Sequence, residues 1–145
     1  MQPAETLEIV RKVYAGALAD AVRQYARAGV LEQVTAAKRQ EQLAGGKMRA
    51  AQMGLLRPEE AFTRTAELFQ CADWKITEEP NGFRAQASRC MLSALAKRMG
   101  AASPCRIYCL DPIEGMIRGM DPEARFEVEK TLFESDGCAV RVRRG

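Results

Sequence analysis

The sequence predicts an α+β domain whose N-terminal helices pack on a small antiparallel sheet built from two β-hairpins separated by helices. Residues 1–72 carry apolar side chains at helical spacing, and two segments of alternating polarity after Asp73 each fold back on a turn. Strands paired locally, without crossovers, make an antiparallel sheet. At 145 residues the chain amounts to a single domain, with a helical part (1–72) and a hairpin–helices–hairpin part (73–145).

The first helix is expected over 4–28, with Leu7, Val10, Tyr14, Leu18, Ala21 and Tyr25 in register, Pro3 at its start and Gly29 at its stop. Residues 30–44 favour helix, but KRQEQ makes them polar and solvent-facing, and Gly45-Gly46 is expected to break the chain there. Helical spacing resumes at Met48. Pro58 opens a further helix with a stripe of Ala61, Phe62, Thr65, Leu68 and Phe69. Trp74 and Ile76 alternate with Lys75 and Thr77, Pro80-Asn81-Gly82 turns the chain, and Phe83, Ala85 and Ala87 return it as a hairpin. Met91–Met99 is a helix ended by Gly100. Ser103-Pro104 starts another that Asp111-Pro112 interrupts, with a short piece on to Gly119.

Residues 125–134 and 138–143 form the second hairpin. A two-residue loop at Asp136-Gly137 would set Phe133 against Val140 and mix arginines into the apolar face. A three-residue loop sets Leu132 against Val140 and gathers Phe126, Val128, Leu132, Val140 and Val142 on one face, with Glu129 and Arg143 on the other. That register is the expected one. It leaves Lys130 on the apolar face, where its amine must snorkel, meet a carboxylate such as Asp111 or Glu114, or face a ligand.

Composition narrows function. The 22 basic and 19 acidic residues are evenly spread, 10 against 8 through residue 72 and 12 against 11 beyond it, so no basic arm or tail points to nucleic acid or an anionic membrane. Aromatic residues are only 6%, too few to stack on bases. Histidine is absent, which removes imidazole acid–base chemistry, Ser-His-Asp systems and histidine-bound zinc. No apolar run is long enough to span a membrane and no signal-peptide core begins the chain, so the expected location is the cytoplasm.

Five cysteines in a reducing compartment favour buried thiols or a metal over a disulfide framework. Cys90, Cys105, Cys109 and Cys138 are expected on the inner side of the domain, with Cys71 apart. Four thiolates suffice for zinc or an iron–sulfur cluster, but gaps of 14, 3 and 28 residues fit no standard ligand pattern, and small buried cysteines commonly only pack. Asp111, Glu114 and Asp121 gather around the interrupted helix, either for acid–base work or as caps.

Residues 89–144 resemble the L-2-amino-thiazoline-4-carboxylic acid hydrolase family. The resemblance rests on SRCMLSALAKRMG, CRIYC, RGMDPEARFE, KTL and the closing DGCAVRVR. Cys90, the Cys105/Cys109 pair, Lys130-Thr131-Leu132 and Cys138 fall on family positions, whereas Asp121-Pro122 stands where the family has asparagine-proline. The element order is also similar to vinyl-reductase-type ligand-binding domains, in topology alone. The family resemblance implies a small-molecule hydrolase that opens a cyclic amidine or thiazoline ring. Such a step needs water attack between nitrogen and sulfur, a base, and a cation for the substrate carboxylate. The chain offers Asp111 or Glu114 as base, Cys109 as nucleophile, and Lys130 or Arg106 for the carboxylate. The alternative is a non-catalytic domain that binds or senses a small ligand, with or without a cysteine-bound metal. A small molecule is the expected partner, and a homodimer is left open.

Overall fold

A computed structural model describes all 145 residues. Three helices come first, α1 (Pro3–Arg27), α2 (Leu31–Gln52) and α3 (Glu60–Phe69). The hairpin β1 (Lys75–Glu79) and β2 (Gly82–Ala87) follows, then α4 (Met91–Arg98), a π-helical turn (Arg106–Leu110), α5 (Asp111–Met120) and the hairpin β3 (Arg125–Lys130) and β4 (Cys138–Arg143). The strands form one antiparallel sheet in the order β1-β2-β4-β3, so β2 and β4 join the two hairpins.

One face of the sheet is apolar because the registers align like with like: Phe83 opposite Val142, Ala85 opposite Val140 and Ala87 opposite Cys138. The helical layer covers this face. Phe62 of α3 sits edge-on to Trp74 and Phe83, with ring centroids 4.9 and 6.0 Å away, and stacks on Phe126 at 6.1 Å. Ile113, Met116 and Ile117 of α5 fill the same core. The opposite face is laced by cross-strand ion pairs, Arg84–Glu129 at 2.9 Å and Arg141–Glu79 at 3.0 Å.

Three expectations are corrected. Gly45-Gly46 does not break the chain; both lie inside α2. Gly46 and Gly115 let α2 and α5 meet backbone to backbone: a Cβ on Gly46 would stand 1.8 Å from the Gly115 carbonyl oxygen, and one on Gly115 2.3 Å from that of Gln42. Asp111-Pro112 does not interrupt its helix either. The π turn delivers the chain to Asp111, whose N–H bonds the Arg106 carbonyl, and Pro112 then occupies the first turn of α5, where no donor is needed.

The third correction is the last hairpin. Its loop spans seven residues, 131–137, and Val128 rather than Leu132 faces Val140. Leu132 leaves the strand to pack against the core while its carbonyl accepts a bond from Lys97, and the Glu134 and Ser135 amides close a turn on Thr131. The slip is four residues, an even number, so Phe126, Val128, Val140 and Val142 still share a face. A bulge at Glu129 then pairs Lys130 with Ala139, turning it off that face. Lys130 meets neither Asp111 nor Glu114; its amine lies 2.9 Å from exposed Asp136, a surface pair.

Candidate functional site

A cavity of about 370 Å³ lies within the helical layer, walled by all five helices and the π turn. Amphipathic helices meeting on apolar faces supply most of the wall, including Leu18, Met53, Phe69, Ile113 and Met116. Its polar groups are Arg11, Tyr14, Lys38, Gln42, Arg49, Thr65, Tyr108 and the thiols of Cys71 and Cys109. Three cations and no carboxylate face this space.

Each cation is held without an ion partner. Arg11 of α1 donates to the Leu68 and Glu67 carbonyls at 2.8 and 3.1 Å, tying down the end of α3. Lys38 and Arg49 lie on one stripe of α2 together with Gln42. The Lys38 amine stands 5.7 Å from the centroid of the Tyr108 ring. Arg49 donates through Nη2 to the Gln42 carbonyl, yet its Nε and the Gln42 Oε1 are buried with no partner at all. Buried polar groups without partners cost free energy that a polar ligand would recover.

The π turn brings Tyr108 and Cys109 to the wall. Burial pushes the Tyr108 hydroxyl up to about 12, with Tyr25 adding to the effect. It drives the Cys109 thiol well above its usual range, so Cys109 is a protonated thiol at neutral pH.

Asp111 and Glu114 do not line the cavity. They are 2% exposed at the α2–α5 contact, where Arg39 donates to Asp111 at 2.8 Å and to both Glu114 oxygens at 2.8 and 3.0 Å. Arg118 adds a bond to Glu114 at 2.8 Å, and Arg106 stands 3.7 Å from Asp111. Burial raises Asp111, and the neighbouring arginines only partly offset it. Burial would raise Glu114 too, but Arg39 and Arg118 hold its carboxyl below the usual range. This is a compensated ion cluster, and Arg106 belongs to it rather than to the cavity. Asp121 stands elsewhere, accepting the Gly145 amide at 3.0 Å.

The four inner cysteines do converge, around a void of about 10 Å³ between Trp74, Leu92 and Leu110. Such a void barely holds one water. No three cysteine, aspartate or glutamate side chains are arranged to hold a metal ion, so of the two readings of these cysteines the geometry favours packing over a zinc or iron–sulfur centre. Burial raises Cys105 and pushes Cys138 up to about 11, as for packed neutral thiols. Cys71 is not apart from the group: its sulfur lies 3.7 Å from that of Cys90.

Of the candidate catalytic, binding and metal-ligating residues taken from the sequence, only Cys109 lines the cavity. Arg11, Lys38, Arg49 and Tyr108 were missed, as was Arg39. The spacing of Lys38, Gln42 and Arg49 places them on one helical stripe, a signal hidden by reading KRQEQ as solvated.

The family model of L-2-amino-thiazoline-4-carboxylic acid hydrolase matches residues 1–142. The chain belongs to this family. Membership therefore extends beyond the C-terminal segment that carries the motifs and takes in α1 to α3, which build much of the cavity wall. No curated protein and no solved structure matches the chain. No helix is long and apolar enough to cross a membrane.

Proposed function

We propose that the protein is a small-molecule hydrolase that binds a compact, carboxylate-bearing heterocycle in the helical cavity and opens its ring. The observation that carries this reading is the charge of the wall: Arg11, Lys38 and Arg49 face the space and no carboxylate does. A cavity of about 370 Å³ suits a ring of the size named by the family, and cations in apolar surroundings bind an anion more strongly than in water. In this reading the substrate carboxylate meets Arg49 and Lys38, and the ring lies against Met53, Phe69 and Met116. Water adds to the carbon between nitrogen and sulfur. Cys109, a protonated thiol, gives its proton to the departing ring atom and regains one from the added water, acting as acid and base rather than as nucleophile.

A second reading has its own support. The cavity offers no carboxylate base, which fits a domain that binds such a ligand without turning it over. Both are tested with purified protein, 2-amino-thiazoline-4-carboxylate and the same ring lacking the carboxylate. Hydrolysis of the acid, with kcat/KM falling at least about tenfold for the neutral ring (one lost charge contact of ~1.4 kcal/mol), supports the hydrolase. A thermal shift with the acid and no product selects the binder. Neither shift nor product, or equal behaviour of the two rings, overturns the assignment of the cavity.

A further inference from the structure

A second feature lies outside the cavity, in an open groove of about 800 Å³ between the end of α3, the β2–α4 junction and Leu132. Cys71 and Cys90 both line it. Two chain segments bring them together: Cys71 follows α3, Cys90 is the N-cap of α4, and an antiparallel bridge pairs Ala72 with Cys90. The bridge is locked by the Met91 amide on the Cys71 carbonyl at 2.8 Å. Asp73 anchors its other side, accepting the Ser88 and Arg89 amides at 2.7 and 2.9 Å. The sulfurs stand 3.7 Å apart, and each accepts a backbone N–H from the first turn of α4, Cys71 from Leu92 at 3.3 Å and Cys90 from Ser93 at 3.4 Å.

We propose that Cys71 and Cys90 are a reactive dithiol that exchanges with small-molecule disulfides entering this groove, Cys90 attacking and Cys71 resolving. Three features distinguish the pair from the other cysteines. The sulfurs are already in contact at 3.7 Å, and the Ala72–Cys90 bridge holds the two chain segments side by side, so only a short approach separates them from the roughly 2.05 Å of a disulfide. Both face the open groove, whereas Cys105 and Cys138 are buried and Cys109 lines the helical cavity instead. Two backbone donors and the helix end stabilise negative charge on sulfur there. Consistent with that, the hydrogen bond from Cys71 holds the Cys90 thiol down at about 7 against the effect of burial, while Cys71 is raised by the same contact. Arg89 and Lys97 flank the groove against the single carboxylate of Asp73, 3.8 Å from Arg89, a net positive lining that suits an anionic disulfide.

The step balances as exchange. The Cys90 thiolate attacks one sulfur of R–S–S–R, forming Cys90–S–S–R and releasing RS⁻. Cys71, losing its proton, displaces the second RS⁻ and closes Cys71–S–S–Cys90. The protein is oxidised by two electrons and the disulfide is reduced to two thiols.

Oxidised glutathione is the probe, added to the full chain at neutral pH with intact-mass and tryptic-peptide readout. The expected product lacks two hydrogens and joins peptide Thr65–Lys75 to peptide Cys90–Lys97. Cys71→Ser should stop at a single stable glutathione on Cys90. Cys90→Ser should take up glutathione at Cys71 at least about tenfold more slowly. An unchanged mass, adducts on Cys105, Cys109 or Cys138 without the linked pair, or an adduct on Cys71→Ser anywhere but Cys90, overturns the proposal. The parent peptide map decides the matter even where a variant folds poorly.

Discussion

Arg39 sets two guanidinium nitrogens against the Glu114 carboxylate, at 2.8 and 3.0 Å, and reaches Asp111 with the nearer one. A residue from a stretch that reads as solvated thus neutralises two carboxylates on the facing helix. Removing it leaves those carboxylates with the longer contacts of Arg106 and the single bond of Arg118. Losing one partner of a buried pair costs several kcal/mol, but Arg39 is itself 37% exposed and two arginines remain, so Arg39→Met should cost about 2 kcal/mol. Urea denaturation at pH 7 measures this. A loss below ~0.5 kcal/mol would make the cluster a solvated surface pair.

The same cluster sets a pH dependence. Glu114 is held below its unfolded value of 4.5, so its contribution is present above that pH and is lost as pH falls through the lowered folded value. Asp111 is held above 3.8, so its contribution is present below that pH and is lost as pH rises through the raised folded value. The two oppose each other in acid. Asp111→Asn keeps the acceptor for Arg39 and removes the second trend. Its stability should therefore climb more steeply than the parent's as pH rises from 3 towards neutrality. Parallel urea midpoints for the two proteins across that window would contradict the Asp111 direction.

Glycines at two helix positions should respond with opposite signs. Gly16 in α1 has nothing within 4 Å of an added Cβ, so Gly16→Ala should stabilise by about 0.5–1 kcal/mol through backbone entropy and propensity. Gly46→Ala gains the same propensity, but its Cβ meets the Gly115 backbone at 1.8 Å, and a backbone neighbour cannot swing aside. A net loss of about 2 kcal/mol or more is expected, because overpacking outweighs propensity. Thermal melts of the two variants give the signs directly. A stabilised Gly46→Ala would mean that α2 and α5 do not cross this closely.

That crossing shows where the sequence stopped being legible. Helix and strand types follow from periodicities that need only local information, as in Phe83-Ala85-Ala87 and in α1. Gly45-Gly46 reads as a break because local propensity is all a sequence offers; the reason to keep the helix lies 69 residues away at Gly115. The last hairpin shows the same limit. Alternation placed Phe126, Val128, Val140 and Val142 on one face, and a slip of four residues left that intact. Alternation has no term for Leu132 leaving the strand to pack, nor for a bulge at Glu129, and so Lys130 was misplaced. In the site, Cys109 was legible as a chemical residue type, whereas Arg11, Lys38 and Arg49 are ordinary surface residues until five helices enclose them.

Two lysines separate the enclosed cations from the solvated ones. Lys38 lines the cavity over the Tyr108 ring and has no carboxylate partner. Lys130 pairs with Asp136 at the surface, and that carboxylate is 90% exposed. Methionine keeps most of either apolar stem and deletes the charge. Lys130→Met should lie within about 0.5 kcal/mol of the parent, the usual worth of an exposed pair, and bind a small heterocyclic carboxylate as the parent does. Lys38→Met should be about as stable as the parent, because it breaks no ion pair and leaves the stem on the ring. Its affinity for the same carboxylate should fall about tenfold, the equivalent of ~1.4 kcal/mol for one charge contact in apolar surroundings. Titration calorimetry with 2-amino-thiazoline-4-carboxylate, run beside urea melts, reads both quantities for both variants. Loss of affinity in Lys130→Met with Lys38→Met unchanged would move the ligand from the helical cavity to the last hairpin.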